Sequence, residues 1–165
     1  MISDEYTREH TKERVIRKSV NIDAPVAQVW WAWTTPEGIA TFFAPRAHIV
    51  LAAGGAYELY IMTDSPEGKQ GSEGCEVIGY EVEQRLSFTW NAPPEMPTVR
   101  EERTIVEIHF EEIGPERTSL VLTHSDWKEG EEWDRAYNFF DKAWDGVLAN
   151  LQRSFSEGPM DWSGG

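Results

Sequence analysis

Four histidines, one cysteine and 29 acidic side chains are the groups through which this 165-residue chain could do chemistry. Their spacing argues against most of it. His10, His48, His109 and His124 form no HxxxH or HExxH pair, so the sequence writes no preformed metal site. There is no GxSxG elbow and no glycine-rich phosphate loop. Cys75 stands alone, which rules out an intramolecular disulfide, a CxxC pair and a cysteine-based zinc cluster, and no convincing base accompanies it as a nucleophile. It reads as a small, semi-buried filler at the start of a strand. Glu58, Glu76, Glu102 and Glu107 could pair as acid and base, but strand alternation sends most such side chains outward. His124 differs. It follows Leu120 and Leu122 in parity, so it should point inward at a strand end, with Ser125 and Asp126 close enough to orient it. There it either ties the strand to the next loop or anchors a ligand. No catalytic residue, metal or cofactor is assigned.

The elements that must position these groups are legible from periodicity. Trp133, Tyr137, Phe140, Trp144, Val147, Leu151 and Phe155 recur at intervals of three and four, which predicts one long helix over 131–156 with a bulky apolar stripe. Val15, Ile16, Val20 and Ile22 predict a first strand. Pro25 is expected at the first position of a helix that carries Val26, Val29, Trp30 and Trp33 on one face. Thr35 should cap a second short helix presenting Ile39, Phe42 and Phe43 before Pro45. Six strands follow, near 46–52, 55–62, 73–83, 86–91, 102–111 and 117–125, separated by glycine- and proline-bearing turns. Alternation points Tyr57, Leu59 and Ile61, Leu86, Phe88 and Trp90, Val106, Ile108 and Phe110, and Leu120, Leu122 and His124 toward the long helix. Glu58, Ser87, Thr89, Glu107, His109, Ser119 and Thr123 have the solvent parity.

A formal net charge of −14 opposes sequence-independent binding to nucleic acid or to anionic lipid. No run of about 18 apolar residues occurs, and the first 18 residues are polar, so membrane spanning and secretion are not expected. A reducing cytoplasm is the expected location. Residues 1–12 are expected to be a flexible arm, 13–158 a single domain and 159–165 a tail.

Five segments in this order resemble a known family: Ile22-Asp-Ala-Pro-Val-Ala-Gln-Val-Trp30, Thr35-Pro-Glu-Gly-Ile39, Gly54-Gly55-Ala-Tyr57, Arg85-Leu-Ser-Phe-Thr-Trp90 and Thr118-Ser-Leu-Val-Leu-Thr-His124. They are similar to the activator of heat shock protein 90 ATPase homologue family, within the SRPBCC or START-like superfamily. The resemblance runs over roughly residues 14–156. It implies an α+β helix-grip fold: a curved antiparallel sheet of about seven strands wraps a long C-terminal helix, with two short helices after the first strand and an apolar cavity between sheet and helix. Phe42-Phe43 stands where the family often has Trp, and Ala143-Trp144 where it has a Gly-Trp pair.

The function expected from residues and resemblance together is non-catalytic binding of a small hydrophobic or aromatic ligand in that cavity. Its walls are predicted to comprise Trp33, Phe42, Phe43, Tyr57, Leu59, Phe88, Trp90, Val106, His124, Tyr137, Phe140 and Trp144. One alternative is a stress protein that contacts a chaperone or a client. Another is a polyketide-cyclase-like enzyme, which needs an acid and a base facing the cavity. The chain is expected to be a monomer or a homodimer.

Overall fold

A computed structural model describes residues 14–163; the predicted arm at 1–12 lies outside the described residues. The elements run β1 (Ile16–Ile22), α1 (Val26–Thr34), α2 (Pro36–Ile39), β2 (Arg46–Ile49), β3 (Tyr57–Tyr60), β4 (Val77–Glu81), β5 (Arg85–Trp90), α3 (Pro97–Glu102), β6 (Thr104–Gly114), β7 (Arg117–Ser125) and α4 (Glu131–Ser156). Five strands form one antiparallel sheet in the order β1-β7-β6-β5-β4. The β2-β3 hairpin extends it past β4, because Tyr57 N–H donates to the Cys75 carbonyl at 2.8 Å and Val77 N–H to that of Gly55 at 2.8 Å. Register shifts between Val77 and Gly79 and between Glu112 and Gly114 add local twist. The result is the α+β helix-grip fold, with seven strands curved around α4.

The inward rows come from the alternation of the sequence. Leu86, Phe88, Trp90, Val106, Ile108, Phe110, Leu120, Leu122 and His124 are all buried. Two residues depart from the pattern: Ile61 lies past the end of β3 and is exposed, and Ser87 is enclosed despite its outward parity.

On α4 the buried positions are Trp133, Ala136, Phe140, Trp144, Leu148 and Leu151. Val147, Tyr137 and Phe155 are only partly covered, so the stripe is rotated slightly from the predicted one. Lys18 on β1 pins the outer side of the helix through Asp141 at 3.1 Å and Asp145 at 3.2 Å.

Thr35 caps α2 as predicted, its Oγ1 accepting from Gly38 N–H at 2.9 Å. A Cβ on Gly38 would lie 2.2 Å from the Trp31 carbonyl oxygen, so this helical hairpin closes only with glycine there. Pro25 is the cap of α1 rather than its first helical residue. Helix α3 was not expected. Pro97 starts it inside a stretch read as turn and strand, and β6 accordingly begins at Thr104. Beyond α4 the chain returns to the helical hairpin: Met160 N–H donates to the Thr41 carbonyl at 3.0 Å and Trp162 Nε1–H to that of Ala40 at 2.7 Å.

Candidate ligand-binding site

The concave interior is filled by interlocked rings. Trp33 meets Phe42 edge-on at 5.0 Å and Phe43 at 5.8 Å, and Phe43 meets Trp144 at 5.8 Å and 89°. Tyr57 stacks on Phe88 at 4.2 Å and its hydroxyl donates to the Trp33 carbonyl at 2.7 Å. Burial pushes that phenol far above its ordinary pKa, so it stays neutral. Leu59 and Val106 are fully buried in the same cluster. Edge-to-face contacts at these spacings fill volume efficiently.

His124 sits inside this core with no exposed surface. Its Nδ1 lies 2.9 Å from Trp144 Nε1, and its Nε2 lies 2.6 Å from Thr104 Oγ1. An indole nitrogen can only donate, so Nδ1 must be the acceptor and the imidazole proton resides on Nε2. Thr104 therefore accepts from Nε2 and turns its own hydroxyl proton to the Trp90 carbonyl at 3.3 Å. Burial pushes the imidazole pKa down to about 3, keeping the ring neutral. The chain of bonds joins α4, β7, β6 and β5.

An open hollow of about 460 Å³ lies at one end of the grip, where the chain leaves β3 and β5. Ile61 and Met62 form one side, Trp90, Asn91, Ala92, Pro93 and Pro94 another, and Phe139 and Phe140 on α4 the third. Ser65, Lys69, Gln70, Gly71, Ser72, Glu95 and Arg100 complete the lining. Of the twelve predicted wall residues, the structure brings Trp90 and Phe140 to this cavity. Trp33, Phe42, Phe43, Tyr57, Leu59, Phe88, Val106, His124 and Trp144 pack behind it in the core. Tyr137 lies outside the lining, with its ring 5.2 Å from Trp127 and under the Arg14 guanidinium at 4.7 Å.

Arg100 holds the cavity's two loops together. Its guanidinium donates to the carbonyls of Ala92 at 2.6 Å and Gly68 at 2.7 Å and pairs with Glu73 at 3.2 Å. Glu73 in turn accepts from the backbone N–H groups of Gln70 at 2.9 Å and Gly71 at 2.8 Å. Burial alone would raise its pKa, but these amides and Arg100 hold the carboxyl below the usual range. Asn91 adds a bond from Nδ2 to the Gly71 carbonyl at 3.1 Å. Gly71 is required here, since a Cβ would lie 1.9 Å from the Leu59 carbonyl oxygen. The walls are thus set in place by the protein's own bonds. Among the described residues no cluster of three metal-ligating side chains occurs, and no helix is long and apolar enough to cross a membrane.

Loop residues supply most of this lining, and of these strand alternation pointed only to Ile61. Phe139 and the Pro93-Pro94 pair were the available clues: a ring beside the helix stripe and a stiff apolar turn.

The family model for activator of Hsp90 ATPase homolog 1-like proteins matches residues 23–156. The chain belongs to this family. Solved structures share the fold of this family member. Protein MLL2253 from Mesorhizobium loti is 22% identical, with 89% of this chain and all of that one covered and a TM-score of 0.68. The Aha1 dimer from Colwellia psychrerythraea is 17% identical, with 88% and 98% covered and a TM-score of 0.65. CalU16 from Micromonospora echinospora is 24% identical, with 92% and 79% covered and a TM-score of 0.63. No curated protein matches the chain.

Proposed function

We propose that this family member binds a small apolar or aromatic molecule in the end cavity, without acting on it chemically. The observation that carries this reading is the mouth: Ile61, Met62 and Phe139 are 41%, 60% and 45% exposed around one concave apolar space. Large side chains gathered in this way mark a binding surface, and a cavity of hundreds of cubic ångströms suits a small ligand. Covering them contributes about 25 cal/mol per Å² of apolar surface. Trp90 and Phe140 would form the floor under the ligand. The charged groups in the lining are Lys69, Glu95 and Arg100, and Arg100 is fully engaged in holding the loops. His124, the residue best suited by type to proton transfer, is neutral and lies in the core. This arrangement supports holding a molecule rather than transforming it.

The test is titration with the neutral fluorophore N-phenyl-1-naphthylamine. The expected result is saturable enhancement, weakened roughly tenfold in Phe139→Asp, a change at a half-exposed ring that leaves the core intact. A linear, non-saturating response in the unaltered protein would remove the reading.

A further inference from the structure

The apolar cavity does not end at Arg100. It adjoins a second, polar hollow of about 460 Å³, and Lys69, Asn91, Pro94 and Arg100 line both. We propose that this annex receives the singly charged oxyanion head, such as a carboxylate, of a ligand whose apolar body occupies the first cavity. The inference rests on the binding reading above and specifies the class of ligand.

Charge is the first argument. The whole chain carries a net charge of −14, yet the annex is lined by three cations, Lys69, Arg100 and Arg103, against two carboxylates, Glu73 and Glu101. One of these carboxylates is already committed, because Glu73 pairs with Arg100 at 3.2 Å and accepts two backbone amides. Lys69 and Arg103 have no carboxylate within ion-pair distance among the described residues. The local excess is a single positive charge, which suits a monoanion better than a dianion. Glu95 stands in the lining of the adjoining cavity and not of the annex, so the positive excess is confined to the annex, in a chain that is strongly negative as a whole.

The backbone gives a second, independent argument. Arg103 has φ 71° and ψ 159°, a conformation nearly reserved for glycine. It is held there by its N–H to the Val99 carbonyl at 2.9 Å, its Nε–H to the Arg100 carbonyl at 3.1 Å and its Nη1 to Cys75 Sγ at 3.3 Å. Gly74, itself at φ +84°, leaves the space the guanidinium occupies: a Cβ there would lie 2.7 Å from Nη2. The strained backbone and these contacts fix the Arg103 side chain against Gly74 and Cys75, on the wall of the annex that it lines. Lys69 supplies the other charge from an exposed position, free to turn toward a head group.

The experiment is displacement of N-phenyl-1-naphthylamine from the full chain by decanol, decanoate and decyl phosphate, which share one body and differ in head. Decanoate should displace the probe at a roughly fivefold lower concentration than decanol, and the advantage should shrink in 0.5 M salt. Arg103→Gln, at a residue that lines the annex and not the first cavity, should erase most of that advantage while leaving probe affinity unchanged, and Lys69→Gln serves as a second variant, read by the ratio of decanoate to decanol displacement. Equal displacement by decanol and decanoate, with the probe still binding saturably, overturns the head-group assignment and leaves the cavity reading standing. An advantage untouched by both variants overturns it as well. Decyl phosphate displacing at well below the decanoate concentration contradicts the single-charge assignment. If the probe itself never saturates, the cavity reading falls, and this proposal with it.

Discussion

Trp144 on α4 donates its indole proton to Nδ1 of His124 on β7 at 2.9 Å, and this one bond fixes the tautomer of a fully buried imidazole. With Thr104 bonded to Nε2 at 2.6 Å, both ring nitrogens are satisfied only in the neutral state. A second proton would have to be placed on Nδ1, facing another donor.

Acid should therefore destabilise the fold through this residue. Its pKa is depressed from about 6.5 in the unfolded chain to about 3 in the folded one. Between those values the unfolded state binds more protons, so the contribution is fully present above pH 6.5 and is lost as the pH falls toward 3. The slope from this group is about 1.4 kcal/mol per pH unit. Urea unfolding at pH 7, 6, 5 and 4 should show a steeper decline for the unaltered protein than for His124→Leu. Parallel declines would show that the imidazole protonates in the folded state without penalty.

Removing the donor should be as informative as removing the acceptor. Trp144→Phe keeps most of the ring volume but leaves Nδ1 buried without a partner, at a cost of about 1–3 kcal/mol beyond any packing loss. In a double-mutant cycle with His124→Leu, that loss should be non-additive by about 1 kcal/mol, measured from denaturation midpoints. Strict additivity would mean that the bond contributes nothing.

Arg100 has a different role. Arg100→Met should release the loops carrying Gly68 and Ala92 and leave the Glu73 carboxylate without its cation, costing about 2 kcal/mol. Because the core rings lie elsewhere, the protein should remain folded while losing saturable probe binding. Calorimetric melting and the fluorescence titration check the two halves of this statement separately.

The framework was readable because strands and helices impose periods. Leu120, Leu122 and His124 could be placed inward from parity alone, and the 26-residue helix from its stripe. The cavity was not readable in the same way. Ile61, Met62, Asn91 and Pro93 lie in non-repeating chain, and what brings them together is Arg100 and Glu73 bonding across loops distant in sequence. Apart from Tyr137 and Phe155, which are only partly covered, the aromatic residues named from sequence are buried but largely engaged with one another: ring size shows that an interior is bulky, and only the angles, such as 89° between Phe43 and Trp144, show that the bulk is complementary. Short α3 was hidden for a related reason, since six residues carry too little periodicity to outweigh the turn signals around them.

The most direct measurement is a ¹H–¹⁵N correlation titration of the full chain with N-phenyl-1-naphthylamine. Binding in the end cavity predicts saturable shifts concentrated at the amides of Ile61, Met62, Asn91, Ala92, Phe139 and Phe140, with those of Trp33, Tyr57 and Leu59 unmoved. Shifts centred on the latter three, or none at all, would contradict the account.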